Sequence, residues 1–308
     1  MRRVLQVALL LGCAIASAIA AADPRPRVVV VKTVMIEPFD KAESALLRDL
    51  QETADVWVVP VRLGSPHEAG RIEALQPEVI VTLGSQATAW AMQALPSKPI
   101  VFSMVLDPIS SGFVKTLAHP GTRVTGAALD IPPSVEFRAL KQLLGARRVA
   151  VLYNPEKSGR LVEAGRLEAA RQGMELVPLP VPEPEAFEPA LRKIDRTFDA
   201  LWSIPDALVY SKPLSQRILL YTIRRRVPLM GLSEQHVKAG ALFALVTSYE
   251  ENGHQAAERV RRVLAGERPS QIPVGIPKKL EMVFNPRTAQ SLQVDLPKIQ
   301  VARARPVR

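Results

Sequence analysis

The sequence predicts an α/β protein of two similar lobes, each a parallel sheet flanked by helices, joined by a hinge. Two observations predict this. Short apolar runs alternate with stretches of helical spacing along nearly the whole chain, and repeated strand–helix units imply parallel sheets with right-handed crossovers. The alternation pauses at a Gly/Pro-containing junction over residues 126–133 and then restarts at "RRVAVLYN". The bulk numbers agree: 308 residues at 47% apolar and 23% charged are enough for two ordinary cores.

The first element is "RVVVVKTVM", a continuous apolar run of the kind found in a strand buried on both faces. "DKAESALLRDLQE" follows as a helix, with Ala42, Ala45, Leu46 and Leu50 at helical spacing. "DVWVVPV", "PEVIVTLG" and "KPIVFSMV" are three further strands, and "RVTGAAL" is a fourth after the loop "AHPGT". "PPSVEFRALKQLLGA" is a helix whose prolines suit its first turn and whose Gly145 suits its end. The second set runs strand "RRVAVLYN", a helix over about 159–173, strand "MELVPLPV" and a helix over "PEAFEPALRKID". Strand "DALWSI", helix "SQRILLYTIRRR" and strand "VPLMGLS" continue it. "GALFALVTS", a long helix "SYEENGHQAAERVRRVLAGE" and "EMVFNPRTAQSLQVDLP" complete the pattern.

The N-terminus has a separate logic. "MRRVLQVALLLGCAIASAIAAADP" places Arg2 and Arg3 before an apolar run and then small residues, the order of a secretory signal peptide over residues 1–22. "LLGC" also resembles a lipobox, but an apolar segment follows Cys13 where a lipid-anchored protein has a polar tether. Cys13 is the only cysteine, so an exported, processed chain has none. That excludes disulfides, thiol catalysis and cysteine metal sites, and with the export signal it leads to the expectation of a bacterial periplasmic or cell-surface protein, the periplasm favoured over a lipid anchor at Cys13. The net charge of +10 is spread out except at 224–226 and in the tail "VARARPVR". Without basic residues and aromatics concentrated on one element, nucleic-acid binding is not indicated.

Catalytic and cofactor motifs fail on spacing. "GSQATAWAM" lacks the second glycine and the lysine of a phosphate loop, and the chain has no dinucleotide fingerprint. "GLSEQ" has half of a nucleophile elbow, and Ser233 reads as a helix cap. His67, His119, His236 and His254 share no metal-ligand spacing. No cofactor or metal is expected. Glu250 and Glu251 lie at a helix start, where the dipole favours them.

In open α/β sheets ligands bind beyond the carboxyl ends of the strands. Here those ends fall at Met35 and Ile36, Gly84 and Ser85, residues 103–107, Tyr153 and Asn154, residues 203–206 and residues 231–233. Ser85 is placed to cap a helix by accepting from the amides of residues 86–88, and that N-terminus suits an anion. Asp107 in "MVLDP" and Asp206 in "WSIPDALVY" each close a buried strand and offer the opposite charge. Phe102, Tyr153, Trp202 and Tyr249 are candidates for apolar walls.

Four stretches carry a family resemblance: "PEVIVTLGSQATAWAM", "KPIVFSMVLDPISSGFVKTLAHPGTRVTGAAL", "RRVAVLYNPEKSG" and the run from "VPLMGLSEQ" to "LQVDLP". They resemble the ABC transporter substrate-binding proteins related to tryptophan/tyrosine-binding proteins. The D-P…G…L-A-x-P-G…V-T-G and S-Y-E-x-x-G-x-Q-A blocks are the most specific parts. The resemblance implies a type I periplasmic binding protein: two Rossmann-like lobes, three crossovers and closure on a ligand. It implies a first lobe of 23–128 plus 248–274, a second of 129–247 plus 275–300, and a basic tail at 301–308.

Carried over by position, it puts Gly84, Ser85, Gln86, Ala87, Ser103, Asp107, Tyr153, Asn154, Asp206, Gly231 and Ser233 at the ligand cleft. Ser85 and the following amides would take an anionic group, and Asp107 or Asp206 a cationic or hydroxyl group. This chain has Pro205-Asp206-Ala207 where the family usually has Thr-Asp-Asn, and Gln86 where relatives carry something smaller. The expected function is the monomeric solute-binding component of an importer, passing an amino acid or similar polar metabolite to an ABC permease at the inner membrane. The alternative readings are a sensory or accessory binding protein of the same fold, and an exported α/β hydrolase.

Overall fold

The valine run that opens the pattern is a strand paired on both sides. The computed structural model describes residues 25–65, 67–297 and 304–307; the signal peptide expected over 1–22 and Cys13 lie outside the described residues. In β1 (Arg27–Lys32), Val28, Val29, Val30 and Val31 are fully buried. The strand is followed by α1 (Glu37–Leu50), β2 (Asp55–Pro60), α2 (Glu68–Glu73), β3 (Val79–Leu83), α3 (Ser85–Ala94), β4 (Ile100–Val105) and β5 (Val124–Ala128). These strands form one parallel sheet in the order β2-β1-β3-β4-β5, with apolar clusters on both faces.

The second sheet is built from α4 (Pro133–Leu144), β6 (Arg148–Tyr153), α5 (Pro155–Arg171), β7 (Glu175–Pro180), α6 (Phe187–Arg192), β8 (Ala200–Trp202), α7 (Lys212–Arg225), β9 (Leu229–Met230), α8 (Glu234–Lys238) and β10 (Phe243–Thr247). The chain then returns to the first sheet as α9 (Tyr249–Leu264), which packs on α1, β3, β4 and β5. It crosses back to add β11 (Leu280–Phe284), α10 (Pro286–Leu292) and β12 (Ala304–Pro306) to the second sheet. Seven strands result, in the order β12-β11-β10-β9-β8-β6-β7. The polypeptide therefore passes between the sheets three times.

One pairing departs from the all-parallel expectation. β10 and β11 are antiparallel, with Phe243 opposite Phe284. The chain leaves β10 at its carboxyl end for α9 and re-enters beside that same end, so β11 must run the other way. β12 pairs parallel to β11, so residues 304–306 of the basic C-terminal segment form an edge strand. Arg305 there bonds Glu234 and Glu281.

The return of α9 depends on close approach. A Cβ at Gly253 would sit 2.1 Å from the Ala42 carbonyl oxygen, so only glycine lets α9 lie this near α1. The next anchor is Asn252, which is buried. Its Oδ1 accepts from Ser103 Oγ at 2.7 Å and the Met104 amide at 2.9 Å, and its Nδ2 donates to the Ala127 and Ala128 carbonyls. One side chain thus fixes the carboxyl ends of β4 and β5 beside two of the crossovers.

Candidate functional site

At those crossovers the strand ends of both sheets border a cleft of about 280 Å3. Its walls are mostly aliphatic, and its charged groups are Asp107, Asp130, Glu136 and Arg160. Asp107 follows β4 with φ +45°, a left-handed conformation that aspartate tolerates better than most residues. Its Oδ1 accepts from the Ser110 amide at 3.1 Å, and Arg160 of α5 reaches across from the other sheet to the same oxygen at 3.2 Å. The Asp107 amide in turn donates to Asp130 Oδ1 at 2.8 Å.

Asp130 lies on the first crossover. Its Oδ2 is buried with no partner among the described residues. Burial pushes its carboxyl up to about 7, with a further upward push from the neighbouring charge of Asp107. Glu136 stands in the first turn of α4, beyond Pro132 and Pro133. Burial raises its carboxyl to about 8, and the bond that Trp202 Nε1 donates to Oε2 at 3.1 Å offsets part of that rise. The indole is held in turn. It is fully buried, packs edge-on to Phe137 with centroids 5.0 Å apart, and lies where a Cβ at Gly165 would come within 2.5 Å of its ring. A glycine on α5 therefore makes room for the indole that orients a carboxyl on α4.

The residues expected at the cleft divide into those that line it and those that build the scaffold. Asp107 and Gly231 line it. Ser103 is buried and occupied by Asn252. Tyr153 packs on the core of the second sheet, and Asn154 caps α5, accepting from the Glu156 and Lys157 amides. Ser233 caps α8, accepting from the His236 amide at 3.3 Å.

Two expectations change. Ser85 is not the cap of α3: Gly84 holds that position at φ +87°, no side chain caps the helix, and Ser85 is already helical. The turn is tight because Phe39 lies where a Gly84 Cβ would be, at 2.8 Å. A serine one residue later is past the point where its hydroxyl can reach its own helix's free amides. Ala87 is buried under the sheet, Gln86 is exposed, and residues 84–87 do not border the cleft as it stands.

Asp206 is also a structural group. Its carboxylate accepts from the Asn154 amide at 2.6 Å, Ser158 Oγ at 2.8 Å and the Leu208 and Val209 amides at 3.1 Å, all within the second sheet's unit. Its buried lone pairs are taken, so it offers a ligand nothing. Of the proposed aromatic walls, Phe102 and Trp202 are core, and Tyr249 borders a separate groove with Lys41 and Arg305. Asp130, Glu136 and Arg160 were not anticipated. The one local signal was the position of "LDIPP" directly after a strand end.

A family model described as ABC transporter substrate binding protein matches residues 67–307. The chain belongs to that family. A curated relative, the tyrosine-binding protein of Clostridioides difficile, is 25% identical to this family member over 232 residues, 73% of this chain. The chain spans 66% of that relative's length.

Solved structures agree on the fold. A ligand-free, open substrate binding protein with adhesive properties from Clostridium difficile matches with a TM-score of 0.74 at 21% identity, over 92% of this chain and 99% of that one. An ABC domain in complex with L-Trp from Streptococcus pneumonia gives 0.71 at 20% identity, over 92% and 100%. A conserved domain protein from Vibrio cholerae gives 0.68 at 26% identity, over 92% and 99%. The two-lobed, parallel-sheet architecture is that of type I periplasmic binding proteins.

Proposed function

We propose that this protein binds a small amine-bearing ligand, an amino acid or a close analogue, in the cleft between its lobes and presents it to an ABC permease at the inner membrane. The observation that carries this is the composition of the cleft: aliphatic walls, the buried carboxyls of Asp130 and Glu136, of which Asp130 Oδ2 has no partner among the described residues, and one guanidinium, contributed by both sheets. Ligand contacts to both lobes favour the closed state, so binding energy becomes a shape a permease can read. The Arg160–Asp107 bond already spans the lobes and is available to tighten or exchange as they move.

On this reading residues 1–22 direct export, the lobes are 23–128 with 248–274 and 129–247 with 275–300, and the protein works as a periplasmic monomer without catalysis. A relative named for tyrosine binding and a neighbour holding L-Trp favour an amino-acid-like ligand. Native mass spectrometry of the purified protein, followed by calorimetry with L-tyrosine, L-tryptophan and their analogues, tests the reading. A saturable one-to-one complex that Asp130→Asn weakens is the expected result. Absence of binding across such a panel would remove it.

A further inference from the structure

The cleft's polar groups are unbalanced in a way that specifies the ligand further. Asp107 is matched by Arg160, the one cationic side chain among the lining residues. Asp130 Oδ2 has no partner among the described residues, and for Glu136 the only bond there is the one Trp202 donates to Oε2. What remains for a ligand is carboxyl oxygens and the Arg160 nitrogens not bonded to Asp107, an excess of acceptor over donor side chains.

Backbone donors are scarce as well. Pro108, Pro132, Pro133 and Pro205 line the cleft and have no amide hydrogen, so the start of α4, which would otherwise attract an anion, presents ring carbons. The Gly231 amide is spent on the Phe243 carbonyl and the Leu232 amide on His236 Nδ1. No group of three Asp, Glu, His or Cys among the described residues is positioned to hold a metal ion, so the acceptors are not a cation-metal site.

We propose that the ligand is a monocationic amine with an apolar body and no compensating carboxylate, its ammonium held between Asp130 and Glu136. The inference rests on the cleft being the ligand site. An ammonium supplies three donors to a cleft whose unpaired side-chain groups are mostly acceptors, whereas a zwitterion's carboxylate would have to share the single guanidinium of Arg160, which already bonds Asp107 through Nη2. Burial holds both carboxyls above their ordinary range, Asp130 at about 7 and Glu136 at about 8, so a cation bound between them favours the ionised forms, releases protons and binds more tightly as pH rises. Asp107 and Arg160 are the other charged groups facing them and stay paired throughout.

The test is titration calorimetry of the purified protein with matched probes, tyramine against L-tyrosine and tryptamine against L-tryptophan, at pH 6.5 and 8.5. The expected result is that an amine binds at least ten-fold tighter than its amino acid. Its affinity should climb roughly ten-fold or more between the two pH values, with proton release visible as a dependence on buffer ionisation enthalpy. Glu136→Gln, which keeps an acceptor for the indole, should remove most of the pH dependence while retaining the melting temperature. Amino acids binding as well as or better than the amines would overturn the inference and leave the proposed function standing. Binding of neither class would overturn both. The wild-type comparison needs no variant to fold.

Discussion

Asp206→Ala is expected to unfold the second lobe's ligand-facing end rather than empty a ligand site. Four donors converge on this carboxylate, and three of them, the Asn154 amide at 2.6 Å, Ser158 Oγ at 2.8 Å and the Val209 amide at 3.1 Å, are buried. Leaving a buried donor unpaired costs about 1–3 kcal/mol, so losing the partner of three, with partial loss at the Leu208 amide and Ser158 Oγ still able to reach the Pro205 carbonyl, should lower stability by about 3–5 kcal/mol. Asp206→Asn keeps one oxygen but turns an NH2 toward two of the donors, so it should fall between wild type and Ala. Urea unfolding followed by far-UV circular dichroism is the assay, with the second lobe's transition shifting to lower urea. A loss below about 1 kcal/mol for Asp206→Ala would refute the reasoning, since it would mean that water or a neighbour replaces the carboxylate freely.

Asn252→Ala should cost about 2–4 kcal/mol by calorimetry, because the Met104 amide and the Ala127 and Ala128 carbonyls all lose their partner. Gly165→Ala should shift Trp202 and cost about 1–3 kcal/mol, read as a lower melting temperature and altered tryptophan fluorescence. Gly84→Ala should be comparably destabilising, since it combines φ +87° with a 2.8 Å approach to Phe39. The Arg305 bond holds the Glu234 carboxyl down at about 2, below its ordinary value of 4.5. Its contribution is therefore present above pH 4.5 and fades as pH falls toward 2, and Arg305→Ala should lose to wild type only above that window in pH-dependent melts.

Much of the architecture was legible because it is local. Val28 to Val31 announce a doubly covered strand through an unbroken β-branched run, and the Pro start and Gly145 end of α4 announce a helix through backbone chemistry. Ser233 reads as a helix cap in the sequence and caps α8 in the structure, whereas Asn154 caps α5 because that helix begins at Pro155, ahead of the start near 159 expected from the spacing. The antiparallel β11 was not legible, because its direction follows from where the chain re-enters the sheet. Glu136 carries no local signal beyond being an acid in the first turn of α4. Its role depends on Trp202, 66 residues later, and on the room left by Gly165. Asp206 misled for the converse reason: a strand-end acid resembles a ligand group until its four donors are counted.

The two blocks most specific to the family do scaffold work at the crossovers. In V-T-G, Thr125 Oγ1 bonds the Ile272 carbonyl at 2.8 Å, and Gly126 lies where a Cβ would meet the Phe102 carbonyl oxygen. In S-Y-E-x-x-G-x-Q-A, Ser248 caps α9, Gly253 admits α1, and Gln255 donates to the Ile276 carbonyl at 3.1 Å. These contacts hold the three chain passages and so set how the lobes can move, but they put no free polar group into the cleft. Shared blocks of this kind identify a hinge, and they leave the ligand to residues that can change without disturbing it. Glu136 is such a residue. Its backbone position belongs to α4, the indole it meets is held by Phe137, and Gln in its place still accepts from Trp202. Exchanging the carboxyl there changes the charge offered to a ligand and little else, which makes specificity separable from fold at this position.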